Sequence, residues 1–475
     1  MMKTLVAKEI RGNLLSFRFL ASFVILFVIV AVTAAVLAGD YSRSLDDYSQ
    51  RQAELEKYLR TYAHFNRIGG VLQATQPPIP FQALIRGLTA DVNMEHFDND
   101  PLPVMFPLTD LAFIVTILMS LVALILSYDA ISGEKEDGTL KLMLSNGLPR
   151  SKIVLAKFAG GVLTIAGPFL VSLAAGMLII LLHPRVAWTG ADWGALGLIA
   201  VGAVLYVSVF YLLGILISSL HRSSASSIMT SLFVWVLLVL VVPNLSPYAA
   251  SFLSPTPSRI KVIREMQRLV DTDRDDLGRK LEAEGRREVV KQYPVLSERL
   301  TEAELKSRVA ADAEYRQAYE AMRAAVERAW KEANRIQDAK ASVLEEDLNR
   351  KEAAQTGLAR GLSMISPLAD FDYLATDLSS TGVRDRDHFA QLRRTWDRAF
   401  GDYATKKRAD FKAKNPTGDE WNTAIDMSDA PRFHYVEEGL GGRIRAVLPP
   451  LAVLLGYGIV LFAAAYVAFV RYDVR

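Results

Sequence analysis

Cysteine is absent from the chain. That gap excludes disulfides, thiolate metal sites and cysteine nucleophiles together. A basic face is missing too: 54 Lys and Arg stand against 52 Asp and Glu, so nothing marks a nucleic-acid binder. The six histidines, His64, His96, His183, His221, His388 and His434, show no metal-ligand spacing. No Gly-x-Ser-x-Gly nucleophile elbow occurs. Gly133–Thr139 imitates the start of a P-loop, but Thr139 stands where the lysine should follow the second glycine. Three carboxylates also occupy the place a phosphate needs. Asp370, Asp372, Asp377, Asp385 and Asp387 cluster without the Gly-kinked spacing of a calcium loop and read as a polar, turn-rich surface.

Charge is also missing from six long apolar runs, at 19–37, 111–126 with its flanks, 158–182, 195–216, 228–245 and 451–470. A helix needs about 20 such residues to cross a bilayer's hydrocarbon core. No Asp, Glu, Lys, Arg or His lies inside the runs, so no intramembrane proton or ion relay is visible. Ser120, Thr164, Ser172, Tyr206, Ser208 and Tyr211 are helix-packing groups, with Ser208 and Tyr211 the candidates for lining a path. Val36-Leu37-Ala38 resembles a signal cleavage site, but the first run exceeds a signal core of about 7–15 residues and is expected to be retained. Lys3, Lys8, Arg11 and Arg18, the cluster from Lys135 to Lys157, Arg222 and Arg471 all fall on one side if six helices span. The positive-inside rule makes that side, with both termini, cytoplasmic.

The expected fold is therefore an all-α membrane protein with six transmembrane helices and a large α-rich extracytoplasmic domain containing a long helical hairpin. A connecting helix occupies 1–18, and spans occupy 19–38, 107–127, 158–182, 195–220, 227–245 and 447–470. Cytoplasmic segments lie at 128–157, 221–226 and 471–475, and outer segments at 39–106, 183–194 and 246–446. In the last of these, two long helices are expected at about 258–292 and 297–360, broken near Pro294. Tyr315, Tyr319, Met322, Val326, Ala329, Ala333, Ile336, Lys340 and Val343 step by fours and threes, an apolar seam of heptad type. Met266, Val270, Leu277 and Leu281 supply its partner surface. After Gly361 an α-rich base is expected, with strand content left open.

The one sizeable cytoplasmic loop, 127–157, holds a short amphipathic piece with Leu140, Met143 and Leu144 on one side. Asn146-Gly147 turns the chain and Pro149 opens the next helix. Such a knuckle between two spans can receive a push from a cytosolic partner and pass it into both. The run Asp129, Ile131, Glu134, Glu136, Gly138-Thr139-Leu140, Leu144-Ser145, Pro149, Arg150 and Lys157 resembles the ABC-2 type transporter permeases, in the branch of nitrous-oxide-reductase maturation and gliding-motility permeases. The amphipathic start through Lys8-Glu9-Ile10 to Arg18 resembles that family's connecting helix. Two outer stretches, 78–87 and 362–382, are similar to it as well.

The resemblance implies the non-catalytic permease subunit of an ATP-driven exporter in the bacterial cytoplasmic (inner) membrane. Two six-span copies, a homodimer or close homologues, would pair around a path. Each would present its second loop as a coupling helix to a separate cytosolic ABC ATPase subunit. Glu134, Glu136, Gly138, Thr139, Leu140 and Leu144 would make that contact. ATP and Mg would be bound by the partner, with no cofactor or metal in this chain. The size of 246–446 suggests an outer partner protein or a reshaped exit. The alternative is a mechanical transmitter that moves the outer helices without passing a substrate. A sensor working without ATP fits less well, because no cytoplasmic signalling domain is present. Besides the protein partners, membrane lipid is expected and nucleic acid is not.

Overall fold

The computed structural model describes residues 2–65, 74–87, 109–145, 149–297, 301–415 and 423–471. Every regular element among them is helical, including the base after Gly361. Gly69-Gly70, His96, Asn146-Gly147 and Trp421 lie outside the described residues. Helix α1 is Met2–Leu14 and α2 is Phe17–Thr61. Helix α3 joins Leu111–Phe113, a π-turn Ile114–Met119 and Ser120–Ser127. Two short helices follow, α4 (Ser132–Glu136) and α5 (Thr139–Ser145). Then come α6 (Arg150–Leu181) and α7 (Gly190–Leu220). Helix α8, Ser224–Leu253, carries a second π-turn at Val236–Val241. Six helices are long and apolar enough to cross a membrane, and each expected run falls in one of them.

The chain divides into two units, Met1–Pro243 with Ser363–Arg475, and Asn244–Leu362. In the first, α7 is the most enclosed span. It packs on α3, α6, α8 and on two later helices, α12 (Pro367–Leu378) and α14 (Leu440–Arg471). In lipid there is no hydrophobic drive between helices, so small residues that permit close approach decide the packing. A Cβ at Gly161 would lie 1.9 Å from the Tyr211 ring, and one at Gly214 would lie 1.9 Å from Ser127 Oγ. At Gly202 it would meet Leu374 at 2.7 Å.

A π-turn leaves carbonyls without their usual helical donors. Side chains from other elements take both sets here. Tyr206 Oη donates to Thr116 O at 2.7 Å within the α3 π-turn, and Trp235 Nε1 donates to Ser120 Oγ at 2.8 Å. Ser366, which N-caps α12, donates its hydroxyl to Leu238 O at 2.5 Å within the α8 π-turn.

Helix α2 continues unbroken for 45 residues, roughly 70 Å. Its far half, charged from Asp40 onward, meets α13 (Val383–Lys414) in a small separate core of Leu59, Ala63, Trp396, Met427 and Ala430. At the same end of α3, Asp110 caps the helix, accepting from Phe113 N at 2.8 Å and Arg86 N at 3.0 Å. Gly87, at φ +54, sits where a Cβ would collide with Thr381. The stretches 78–87 and 362–382 therefore meet through the part of each that this unit holds.

Of the five aspartates expected on a polar surface, Asp370, Asp377 and Asp385 are buried and Asp372 is half-buried, whereas Asp387 is exposed. Alternating apolar residues wrap them into α12 and the start of α13. Asp385 is held by Tyr435 and by Gln76 at 2.8 Å. Asp370 is 0% exposed, and neither carboxylate oxygen has a hydrogen-bond partner among the described residues. Loss of hydration pushes its pKa up to about 8.

In the second unit, α9 joins Arg259–Arg268, a π-turn Leu269–Asp273 and Arg274–Gln292. Helix α10 is Glu302–Ala311 and α11 is Ala313–Ser363. The break near residue 312 was not expected. Asp312 causes it by accepting from Glu314 N at 2.9 Å and Tyr315 N at 3.3 Å, which starts a new helix. Arg259 pairs with Glu352, Gly278 packs on Trp330, and Gly285 packs on Ala325, so α9 and α11 run in opposite directions. The buried face of α11 departs from the expected seam. Tyr315, Ala329 and Ala333 stay in it, but Ala318, Ala325, Gln337, Ala341 and Leu348 form the rest, while Lys340 and Val343 are exposed. Glycine opposite alanine draws the helices close, and close packing selects small residues over large ones.

The free Asp370 carboxyl gives a pH signature. Between the ordinary carboxyl value of 3.8 and about 8, the folded chain keeps a proton that the unfolded chain has released. Stability must then fall as pH rises through that window. The thermal midpoint of the purified protein should drop from pH 5 to pH 9, and Asp370→Asn should flatten the drop. An unchanged slope in the variant would assign the dependence elsewhere.

Candidate coupling site

The loop between α3 and α6 folds into α4 and α5, meeting at Gly138 with φ +72. Space around Gly138 is open, so the glycine is required by backbone conformation rather than by crowding. Leu140 is buried, and Met143 and Leu144 pack partly against the core. Glu136, Asp137, Gly138, Thr139, Lys141 and Leu142 face outward. Leu142 is 66% exposed, an apolar side chain on the open face of an otherwise polar knuckle.

The ends of all six spans gather here. Arg18, on α2, bonds Asp129 at 2.6 Å and lies over the Tyr128 ring. Ser218, near the end of α7, accepts from Ile131 N and Ser132 N, both at 3.0 Å. Glu136 accepts from Ser224 N at 3.0 Å and Ser224 Oγ at 2.6 Å, capping α8 with a carboxylate where the helix dipole favours one. Ser227 donates to Tyr128 O at 2.6 Å. Arg150 donates to Phe469 O at 2.9 Å and Val470 O at 2.5 Å, the terminal carbonyls of α14.

At the centre lies an ion cluster. Lys157, 3% exposed, is 2.8 Å from Glu134 and 3.3 Å from Glu9 of α1. Lys8 adds a longer contact to Glu134 at 3.5 Å. Helix α1 reaches this position because Gly160 admits it: a Cβ there would fall 2.7 Å from Glu9 Cβ. The other Glu134 oxygen is buried without a hydrogen-bond partner among the described residues. A buried cation between two carboxylates has lost hydration that only its partners replace, so removing one partner is costly.

The structure therefore separates the six candidate contact residues. Glu134 and Leu140 face inward and Leu144 is partly covered. Glu136 is exposed but engaged with Ser224. Gly138 and Thr139 remain on the open face, with Thr139 Oγ1 donating to Glu134 O at 3.1 Å. The two candidate path residues lie inside the unit. Ser208 bonds its own helix at Val204 O, 2.6 Å away, and Tyr211 fills the notch at Gly161. Sequence reading missed Glu9, Ser218 and Ser224 as parts of the site. The serine-rich run from Ser218 to Ser227 at the end of a span was the available signal.

Six spans tied to one polar knuckle define a multi-pass permease-type membrane protein. The family model described as ABC-2 family transporter protein matches residues 3–474, and the chain belongs to that family. The probable ABC transporter permease protein NosY of Stutzerimonas stutzeri is 37% identical over 134 residues, 28% of this chain and 49% of the relative. Its counterpart in Pseudomonas aeruginosa is 37% identical over 132 residues, 28% of this chain and 48% of the relative. The chain thus spans about half the length of the curated relatives it matches.

Replacing Lys157 with Met should destabilise the purified protein by about 3 kcal/mol, because the partly buried Glu134 and Glu9 then keep only the exposed Lys8 nearby. Adding Glu134→Gln should recover part of that loss. Thermal unfolding of the two single variants and the double variant measures the coupling; strictly additive losses would mean the ion cluster carries no stability.

Proposed function

We propose that this chain is the non-catalytic permease of an exporter powered by a separate cytosolic ABC ATPase, which binds ATP and Mg. The observation that carries the reading is Leu142, exposed on a short helix whose other large apolar residues turn inward. An exposed apolar anchor ringed by polar groups is the usual makeup of a contact hot spot. Gly138, Thr139 and Leu142 make the contact. Glu134, Glu136, Leu140 and Leu144 hold the knuckle in position, and the spans receive any displacement through Lys157, Ser218, Ser224 and Arg150.

The knuckle and both termini face the cytoplasm of a bacterial inner membrane, as the lysine and arginine distribution supports. A second copy pairs with this one. Supporting this, α8 and α14 leave large apolar residues such as Phe233, Leu237, Leu455 and Ile459 uncovered. The α9–α11 pair forms a helical hairpin on the opposite side, available to an outer protein.

Leu142→Arg should weaken copurification of the ATPase by roughly tenfold while leaving the thermal midpoint of the permease unchanged. Undiminished copurification would remove Leu142 from the contact. ATP hydrolysis by the permease alone would end the reading altogether.

A further inference from the structure

Helix α8 has 30 residues, about 45 Å, against a hydrocarbon core of about 30 Å. Its last turns therefore run beyond the core into the headgroup layer. There it carries Leu245, Tyr248, Phe252 and Leu253, all exposed, with Phe252 at 87%. Aromatic side chains at that depth match the interfacial belt of membrane proteins. After a linker of five residues, 254–258, α9 begins, with exposed Ile260 and Ile263 a helical turn apart. A linker this short keeps the first turn of α9 within roughly 20 Å of the end of α8.

The charge around these isoleucines has one sign. Residues Arg259 to Arg268 hold four cations against the single Glu265. Arg259 is occupied by Glu352, and Arg268 by Glu265 and Asp273. Lys261 and Arg264 make no ion pair among the described residues, and Lys261 and Arg264 directly flank the exposed pair. Apolar exposure on α9 then stops. Beyond Ile263 its outer face shows Asp271, Asp276, Arg279, Lys280, Glu284 and Arg287.

The returning helix changes character at the same level. Gln355 of α11 donates to Ser254 O at 2.9 Å and faces Thr256 at 3.4 Å, which ties the two ends of this unit together. Around that tie α11 exposes Ala353, Ala354 and Gly357, whereas Glu345, Glu346 and Arg350 are exposed a few turns earlier. At this end α11 thus loses charge, while α9 pairs exposed isoleucines with cations.

We propose that this end of the second unit rests on an anionic lipid surface, with Phe252, Ile260 and Ile263 in the headgroup layer and Lys261 and Arg264 on lipid phosphates. Apolar residues beside cations are the makeup of an interfacial helix, and each cation near an anionic surface adds attraction. The contact involves the end of α8 and the first turns of α9. The inference rests on α8 crossing the membrane and is independent of ATP coupling.

The chain's lack of cysteine makes the test direct. Single-cysteine variants Phe233→Cys, Ile260→Cys, Ile263→Cys and Ala324→Cys of the full chain would carry a nitroxide in lipid nanodiscs. Relaxation by oxygen and by a water-soluble nickel complex then reports depth. In nanodiscs containing phosphatidylglycerol, labels at 260 and 263 should resemble 233, favouring oxygen several-fold over nickel, and 324 should show the reverse. In phosphatidylcholine alone, the preference at 260 and 263 should shrink. Solvent-like labels at 260 and 263 in the anionic nanodiscs would overturn the proposal. So would an equal preference in both lipids, because the cations would then have no part in the contact.

Discussion

The Lys157 ammonium between Glu134 and Glu9 is the constraint on which the site depends. It sits one residue before an apolar run, at a depth where an unpaired charge would be expelled or neutralised. Two carboxylates from different segments pair with it, and the cluster thereby fixes α1 and α4 to α6. The pairing is a matter of geometry more than of net stability, because a buried ion pair roughly cancels its own desolvation. What it supplies is register. The knuckle has one seating on the bundle in which both carboxylates meet the ammonium.

From that seating the remaining contacts follow at fixed distances along the chain. Glu136 lies two residues past Glu134 and reaches the start of α8, while Ser132 lies two before it and reaches Ser218 of α7. Each bond satisfies a helix terminus that has free N–H or C=O groups. The cytoplasm-facing ends proposed here would thus be capped by the knuckle in place of water. A displacement of the knuckle would have to break these caps together or carry all the spans with it.

Much of this was legible in the sequence. Six uncharged runs gave the spans, because lipid allows few other solutions for a chain of this pattern. The residues of the second loop were legible as a group, since Glu134, Gly138, Leu140 and Lys157 each have a local signature. Their division into inward and outward faces was not. Glu134 looks like a surface acid until Lys157 and Glu9, distant in sequence, are brought to it. The aspartates of α12 misled for the same reason: five acids in eighteen residues suggest a surface, and only the tertiary fold buries Asp370. In α11 the heptad reading chose mostly large residues, whereas Gly285 on the partner helix packs on Ala325 and Gly278 makes room for Trp330. Local pattern is a weak guide wherever backbone proximity decides packing.

The two π-turns bear on how movement could pass through the spans. Glycine contacts at Gly161, Gly202 and Gly214 leave little room for helices to slide, so bending must occur where the helical hydrogen-bond ladder is already interrupted. The interruptions lie in α3, which runs into the knuckle near Asp129, and in α8, whose start at Ser224 is capped by Glu136 of the knuckle. Their released carbonyls are held from the far side by Tyr206 and Ser366. A helix that bends at its π-turn would trade those bonds for the regular ladder, an exchange of like for like with little net cost. Small energy differences at the knuckle can therefore select between two arrangements of the spans, provided the partner binds one of them more tightly than the other.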